Sequence, residues 1–170
     1  MLFQREMTAE EFLVYAEQHR DKRFDFIDGE MVEVSPKPVH GRIQMTLGGA
    51  FVNYVRDNPI GIVYSEVLHV LNGKKYIPDI CINSTTTEDY FTVAPLVAVE
   101  IRSDSQSKAA QRKKAVEYLQ HGVKLSILIF PGENIEVYFA GRDVKVLTYG
   151  DTLDGEDILP NFSIAVDDIL

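Results

Sequence analysis

The sequence predicts a mixed α/β domain, a mixed central β-sheet flanked by helices, on three observations. Short apolar runs with period-two alternation, such as Leu96 to Arg102 and Leu125 to Phe130, fill the middle of the chain. Segments with helical spacing interrupt them, at Val39 to Asp57 and Gln106 to His121. Asp28-Gly29 and Asn72-Gly73 sit between alternating runs, the pattern of tight two-residue hairpins. The resulting order of helix, hairpin, helix, strands, helix, strands is that of helices packed on a sheet.

Each element has a local reason. Thr8 can cap a helix that runs to about Gln18 or Arg20, with Glu11 completing a capping box and Met7 packing back on Phe12. Phe24 to Ile27 and Glu30 to Val34 pair around Asp28-Gly29, with Glu30, Val32 and Val34 on one face. Ser35-Pro36-Lys37-Pro38 breaks the sheet, because proline has no N–H for a ladder. The helix from Val39 to Asp57 has its apolar stripe at Ile43, Leu47, Ala50, Phe51, Tyr54 and Val55. Gly48-Gly49 within it implies close packing against the sheet. Asn58-Pro59-Ile60-Gly61 ends the helix, and Ile62 to Leu71 and Lys74 to Ile82 read as two strands joined at Asn72-Gly73. Asn83 to Ala94 is a polar loop. Gln106 to His121 is a helix closed by Gly122. Strands are expected at Leu125 to Phe130, Ile135 to Phe139 and Val144 to Tyr149, and the acidic tail from Asp151 is expected to return Phe162 to Leu170 over the core.

The chain has 170 residues, 45% of them hydrophobic, enough for one core and too few for two full-sized domains, so a single domain over 1–170 is expected. A net charge of −9 argues against a protein that coats nucleic acid non-specifically, so any such contact must be local. The single cysteine, Cys81, excludes an internal disulfide and a cysteine-based zinc cluster; its apolar strand implies a buried thiol and a reducing compartment. The opening MLFQREMTAEEF is charged where a secretory signal is apolar, and no stretch approaches the ~20 apolar residues of a membrane span. The expectation is a soluble, cytoplasmic protein with no membrane partner.

The candidate chemistry lies in two of the most apolar runs. Asp79 is expected to share a strand face with Cys81, and Glu100 with Ala98 and Arg102. If the two strands pair with those faces aligned, Asp79 and Glu100 come within reach of one divalent cation. A carboxylate pair on rigid strands suits a hard ion such as Mg²⁺, which takes oxygen ligands and keeps waters for chemistry. Ionised groups in such runs need a partner or a metal, and Lys108, Arg112, Lys113 and Lys114 follow closely. The competing reading is a solvated sheet face, with the basic helix as an ordinary solvated charge run or a contact for a nucleic-acid backbone. His19, His69 and His121 lack metal-ligand spacing and are expected to pack or lie at the surface, and Tyr118 is expected in the core.

Pro78-Asp79, then a loop, then Glu100-Ile101-Arg102 resembles the PD-(D/E)XK signature of restriction-endonuclease-like nucleases. More specifically, nearly the whole chain is similar to the Uma-two (Uma2) family of endonucleases. The matching pieces, in order, are Met7-Thr8-Ala9-Glu10-Glu11-Phe12, Asp28-Gly29-Glu30, Val34-Ser35-Pro36, His40-Gly41, Pro78-Asp79, Val99-Glu100-Ile101-Arg102-Ser103, Lys114 to Tyr118, and Gly122-Val123.

The resemblance implies a restriction-endonuclease-like core and a metal-dependent nuclease acting on DNA, with Mg²⁺ or Mn²⁺ held by Asp79, Glu100 and the backbone carbonyl of Ile101. The wider superfamily places a lysine two residues after the glutamate, where this chain has Arg102, which grips phosphate but is a poor proton acceptor. Lys114 best matches the lysine that the family takes from the next helix, with Lys113 as its competitor. The resemblance also brings Glu30 to the cleft as an outer metal or water ligand and His40 as a phosphate or water contact; a hairpin-edge acid and a helix-start polar residue are the plainer readings. Ser103-Asp104-Ser105 departs from the family's Ser-Pro step, which touches the loop more than the metal. A homodimer follows by analogy with nucleases that cut both strands. A nuclease-fold module that binds nucleic acid or protein without catalysis is the alternative, favoured by Arg102 and the acidic charge; hydrolysis of another phosphate ester is a third reading.

Overall fold

The computed structural model describes residues 6–104 and 106–170, so part of the charged opening and Ser105 of the Ser103-Asp104-Ser105 step lie outside the described residues. Its elements, in order, are α1 (Ala9–Gln18), β1 (Arg23–Ile27), β2 (Glu30–Val34), α2 (Pro38–Asp57), β3 (Ile62–Tyr64), β4 (His69–Leu71), β5 (Lys74–Tyr76) and β6 (Ile80–Asn83). They continue with β7 (Val97–Ile101), α3 (Lys108–Gln120), β8 (Leu125–Phe130), β9 (Asn134–Phe139), β10 (Lys145–Leu147), β11 (Thr152–Gly155), β12 (Leu159–Ala165) and α4 (Val166–Ile169). Thr8 and Glu11 form both halves of the capping box on α1, and Met7 packs in the cluster that holds Phe12. Asp28 and Gly29 take φ of 50° and 83°, the left-handed values that a two-residue hairpin turn between β1 and β2 requires.

The central sheet has six strands in the order β10-β9-β8-β7-β6-β3. Only β7 and β8 run parallel, joined through α3; the other pairs are antiparallel, so the sheet is mixed as the sequence predicts. Its main core packs Val97, Val99, Ile101, Ile127 and Ile129 against Ile43, Leu47 and Phe51 of α2. The tail does return to this core: Leu153, Leu159, Phe162, Val166 and Ile169 are all part of it. It does so as the hairpin β11–β12 and the short α4.

Three expectations of local structure fail. Ile62 to Leu71 is not one strand, because Glu66 takes φ of 56° and turns the chain out of the sheet; β3 stays at the edge and β4 pairs with β5 elsewhere. Likewise Pro78 separates β5 from β6, leaving Asp79 one residue outside the strand expected to hold it. The glycines of α2 do not pack on the sheet. A Cβ at Gly48 or Gly49 would meet nothing within 4 Å, and the face toward the sheet is carried by Ile43, Leu47 and Phe51.

Candidate active site

The site begins with strand register. Ile80 opposes Val99 and Cys81 opposes Ala98 in the antiparallel β6–β7 pair, so one further step puts Asp79 across from Glu100 on the same face. Although Asp79 lies beyond the ladder, its Oδ2 accepts a 2.6 Å hydrogen bond from the backbone N–H of Ile101. Gln44 of α2 donates to the Asp79 carbonyl at 2.8 Å. The proline turn therefore delivers an aspartate whose carboxylate is anchored to the strand of Glu100 and whose backbone is anchored to a helix. Cys81 beside it is a buried free thiol, and burial pushes its pKa up to about 12.

Helix α3 supplies the cation. Lys114 and Tyr118 are one turn apart and face β7 together. Lys114 Nζ bonds Glu100 Oε1 at 2.9 Å, and Tyr118 Oη donates to the same oxygen at 2.6 Å. Lys114 also reaches both oxygens of Asp25, at 2.8 and 3.0 Å. Asp25 comes from β1, where Phe26 N–H and Gln106 Nε2 bond it at 2.7 and 3.2 Å. Asp25, Glu100 and Lys114 are all at least nine-tenths buried.

Burial and the neighbouring charges of Asp25 and Asp79 raise the pKa of Glu100 against the pull of Lys114. Burial works against the charge on Lys114 as well, yet Glu100 and Asp25 outweigh it and hold its pKa above the usual value. The two directions oppose each other within one pair. The ammonium is secure, because it is shared by two acids, and the strain falls on the carboxylates. Lys114 bonds two of these carboxyl groups, Asp25 and Glu100, and Asp79 stands close enough to Glu100 to act on it. This surplus of oxygen donors in one partly closed space is the donor set a hard divalent cation takes.

Asp25, His40, Glu66, Asp79, Glu100 and Ile101 line a cleft of about 330 Å³, while Lys114 lies behind the Asp25 and Glu100 wall and lines a neighbouring pocket with Asp28 and Glu117. His40, in the first turn of α2, is buried, and neither ring nitrogen has a directed hydrogen bond; Nε2 approaches Asp79 Oδ1 to 3.2 Å without hydrogen-bond alignment. Ligand atoms of His40, Glu66 and Asp79 lie within 4.8 Å of one another.

Other expected site residues fall elsewhere. Glu30 opposes Ile27 beside the hairpin turn, is exposed, and does not line the cleft, because the hairpin turns its other strand toward Lys114. Arg102 lies just beyond β7, and its Nε donates to the Gln106 carbonyl at 3.0 Å, bracing the loop. Lys113 pairs with Asp28 at the surface. The remaining cations of α3 are also engaged, Lys108 by Glu133 and Arg112 by Glu136, so this face is no open track for a nucleic-acid backbone. Sequence reasoning missed Asp25 and Glu66. An acid between Phe24 and Phe26 in a short alternating run is the same signal that marked Asp79 and Glu100; Glu66 has no such signal.

His69 and His121 are structural, as expected. His69 bonds Val67 O and Asn83 and stacks on Phe91, while His121 contacts Asn72 and the Tyr76 hydroxyl. Among the described residues, no helix is long and apolar enough to cross a membrane.

Known proteins place this architecture. The solved structure of "a putative nuclease belonging to DUF820" from Anabaena variabilis superposes with a TM-score of 0.81. It covers 95% of this chain and 96% of that one at 21% identity, a likeness of fold. No curated protein matches the sequence significantly. Residues 9–167 match the family Uma2, described as "Putative restriction endonuclease". That span takes in every element from α1 to the start of α4 and every wall of the cleft, and on it the chain belongs to the Uma2 family, with the mixed sheet of a nuclease fold.

Proposed function

We propose that the protein is a metal-dependent endonuclease that hydrolyses DNA phosphodiester bonds in this cleft. The observation that supports it most is the gathering of a half-buried Asp79, bonded to the strand of Glu100, beside the buried Glu100–Lys114 pair, the three brought from a proline turn, a strand and a helix. Asp79 and Glu100, with the carbonyl of Ile101, would hold Mg²⁺ or Mn²⁺. Such an ion, when bound, polarises the phosphate and acidifies a water.

The chain's own residues do the rest. Lys114, bonded to both oxygens of Asp25 and to Glu100, holds the two carboxylates in place and, on giving up one of those bonds, would donate to a water or a phosphate oxygen. Tyr118 keeps Glu100 Oε1 in place, so the carboxylate cannot turn away. Arg102, tied to the loop, leaves the chemistry to Lys114. Hydrophobic walls from Phe12, Leu68 and Ile77 limit water around the reacting groups. Cutting both strands of a duplex takes two such sites, which a homodimer would provide.

The test is cleavage of supercoiled and linear DNA with Mg²⁺ or Mn²⁺ by the wild type and by Asp79→Asn, Glu100→Gln and Lys114→Met. Each substitution is expected to lower the rate by about a hundredfold or more. Metal-independent DNA binding with no cleavage by the wild type would favour the non-catalytic module. Equal cleavage by all four proteins would remove the proposal.

A further inference from the structure

We propose that the pocket behind the Asp25 and Glu100 wall is a binding site for the phosphate group of a small phosphomonoester, with the Lys75 ammonium as its anchor. The site lies apart from the cleft and does not rest on the nuclease reading.

The pocket has a volume of about 410 Å³, within the range of small-molecule sites, and stands between the tight turns Asp28-Gly29 and Asn72-Gly73 and one side of α3. Four lysines line it, Lys74, Lys75, Lys113 and Lys114, against three acids, Glu6, Asp28 and Glu117, in a chain whose net charge is −9. A local surplus of cations in an acidic chain marks a place for an anion.

Three of the lysines are matched from within the fold. Lys114 bonds Asp25 and Glu100, Lys113 pairs with Asp28, and Lys74 Nζ lies 3.5 Å from Glu117 Oε1. Lys75, from β5, is not. It is 8% exposed, yet among the described residues its ammonium makes no hydrogen bond, and its nearest carboxylate oxygen is Glu6 Oε1 at 3.8 Å, on a side chain that is itself largely exposed. Its Nζ stands 5.8 Å from the centre of the Phe26 ring. Glu6 and Phe26 both line the pocket, so the ammonium between them faces into it. Three buried donors without acceptors are costly, and a phosphate brings three acceptor oxygens where Glu6 brings one at a distance.

A second group on the same lining lacks a partner. Gln111 is 1% exposed; its Nε2 donates to Gln106 Oε1, and its own Oε1 accepts from nothing among the described residues. That oxygen calls for a donor, which a phosphate dianion lacks and a hydroxyl or amino group on the rest of the ligand supplies. The volume leaves room for such a carrier. The ligand chemistry is therefore a phosphate on a hydroxylated molecule, which a free mononucleotide and the 5′-phosphate end of a DNA strand both present. Glu6 competes with it for Lys75, so its removal should strengthen anion binding, whereas a lysine that serves packing alone would be indifferent to anions.

The experiment titrates the full chain in chelator, by calorimetry, with ribose 5-phosphate, adenosine 5′-monophosphate and an oligodeoxynucleotide carrying a 5′-phosphate, each against its unphosphorylated form. Wild type is expected to bind one ribose 5-phosphate and no ribose. Lys75→Met keeps the length of the side chain and loses its charge, and should weaken phosphate-dependent binding by about tenfold or more. Glu6→Gln should tighten it, which keeps a readout if the Lys75 variant folds poorly. A larger gain from the phosphate on the mononucleotide than on the oligonucleotide identifies a free nucleotide as the ligand, and the reverse identifies a strand end. No phosphate-dependent binding of any of the three by wild type, or equal affinity in wild type, Lys75→Met and Glu6→Gln, overturns the site. Neither cleavage nor a cation enters the measurement, so its failure leaves the nuclease reading standing, and loss of that reading leaves this site.

Discussion

Lys114→Met tests the electrostatic centre of the molecule. Methionine keeps the approximate length and volume of the lysine, so the loss is of charge and hydrogen bonds more than of packing. Lys114 makes contacts of 2.8 and 3.0 Å to Asp25 and 2.9 Å to Glu100, and is 5% exposed. Removing it leaves two buried carboxylates without a counter-charge, and breaking a buried ion pair from one side costs about 3–5 kcal/mol. For a domain of this size each kcal/mol shifts Tm by about 2–4 °C, so a fall of roughly 6–20 °C is expected. Glu100→Gln alone should cost less, about 1–3 kcal/mol, because Lys114 keeps both bonds to Asp25. The double variant should be more stable than the sum of the single losses predicts, by about 1–3 kcal/mol, since it carries one unpaired carboxylate fewer than Lys114→Met. Urea unfolding followed by circular dichroism at neutral pH, in chelator, measures all four corners of the cycle. If Lys114→Met lies within about 1 kcal/mol of wild type, or if the two losses simply add, the three groups do not form a coupled buried network and the site argument loses its base.

Two further predictions concern other parts of the structure. Burial works to raise the pKa of Glu136, but the bidentate Arg112 and the Tyr138 hydroxyl outweigh it and hold the carboxyl below its ordinary 4.5. Its contribution to stability is therefore present above that value and lost as pH falls through the lower folded value; acid titrations of stability should be shallower for Glu136→Gln than for wild type, and equal slopes would refute the assignment. Glycine substitutions should have opposite signs. Gly48→Ala enters open space and removes a poor helix former, for a gain of up to about 1 kcal/mol, whereas a Cβ at Gly61 would stand 2.6 Å from Asn83 O and should lower Tm. Thermal unfolding of the two variants decides it, and a loss at Gly48 would show that this face is already covered by another surface.

The parts of the fold that could be read from sequence are those fixed by neighbours in the chain. The Asp28-Gly29 and Asn72-Gly73 turns hold positive φ at both central residues, which few other pairs tolerate, so both hairpins are visible before any packing is known. The facing of Asp79 and Glu100 followed from alternation and one alignment of strands, which the Ile80–Val99 register supplies. Asp25 needed more. Alternation puts it on a face with Arg23 and Ile27, but only the lean of the β1–β2 hairpin onto α3 makes that face the one that meets Lys114. Glu66 was hidden for a different reason. The run from Ile62 to Leu71 has good strand composition throughout, and the break in it comes from tertiary anchoring of the Glu66 N–H to Pro78, which composition does not carry.

Why the cation comes from position 114 rather than 102 follows from the geometry of one crossover. Strand β7 ends at Ile101, so residue 102 falls in the loop and its side chain turns to the Gln106 carbonyl. The chain must then return as a helix to start β8 parallel to β7, and α3 therefore runs back along β7 in the opposite direction. A helix rises about 1.5 Å per residue and a strand about 3.3 Å, so four helical residues span about two strand residues. Lys114 stands over Glu100, and Tyr118 then falls in the cluster with Ala98 two residues earlier on the strand. Past the end of the helix, a Cβ at Gly122 would lie 3.8 Å from Ala94 Cβ, in the segment that leads into β7. A shift of one helical position rotates a side chain by about 100°. Lys113 accordingly reaches Asp28 at the surface, and Ala115 packs against Leu128 and Phe130. Of the neighbouring positions on this helix, 114 alone aims an ammonium at Glu100, so the choice between Lys113 and Lys114 is made by the crossover and not by the lysines themselves.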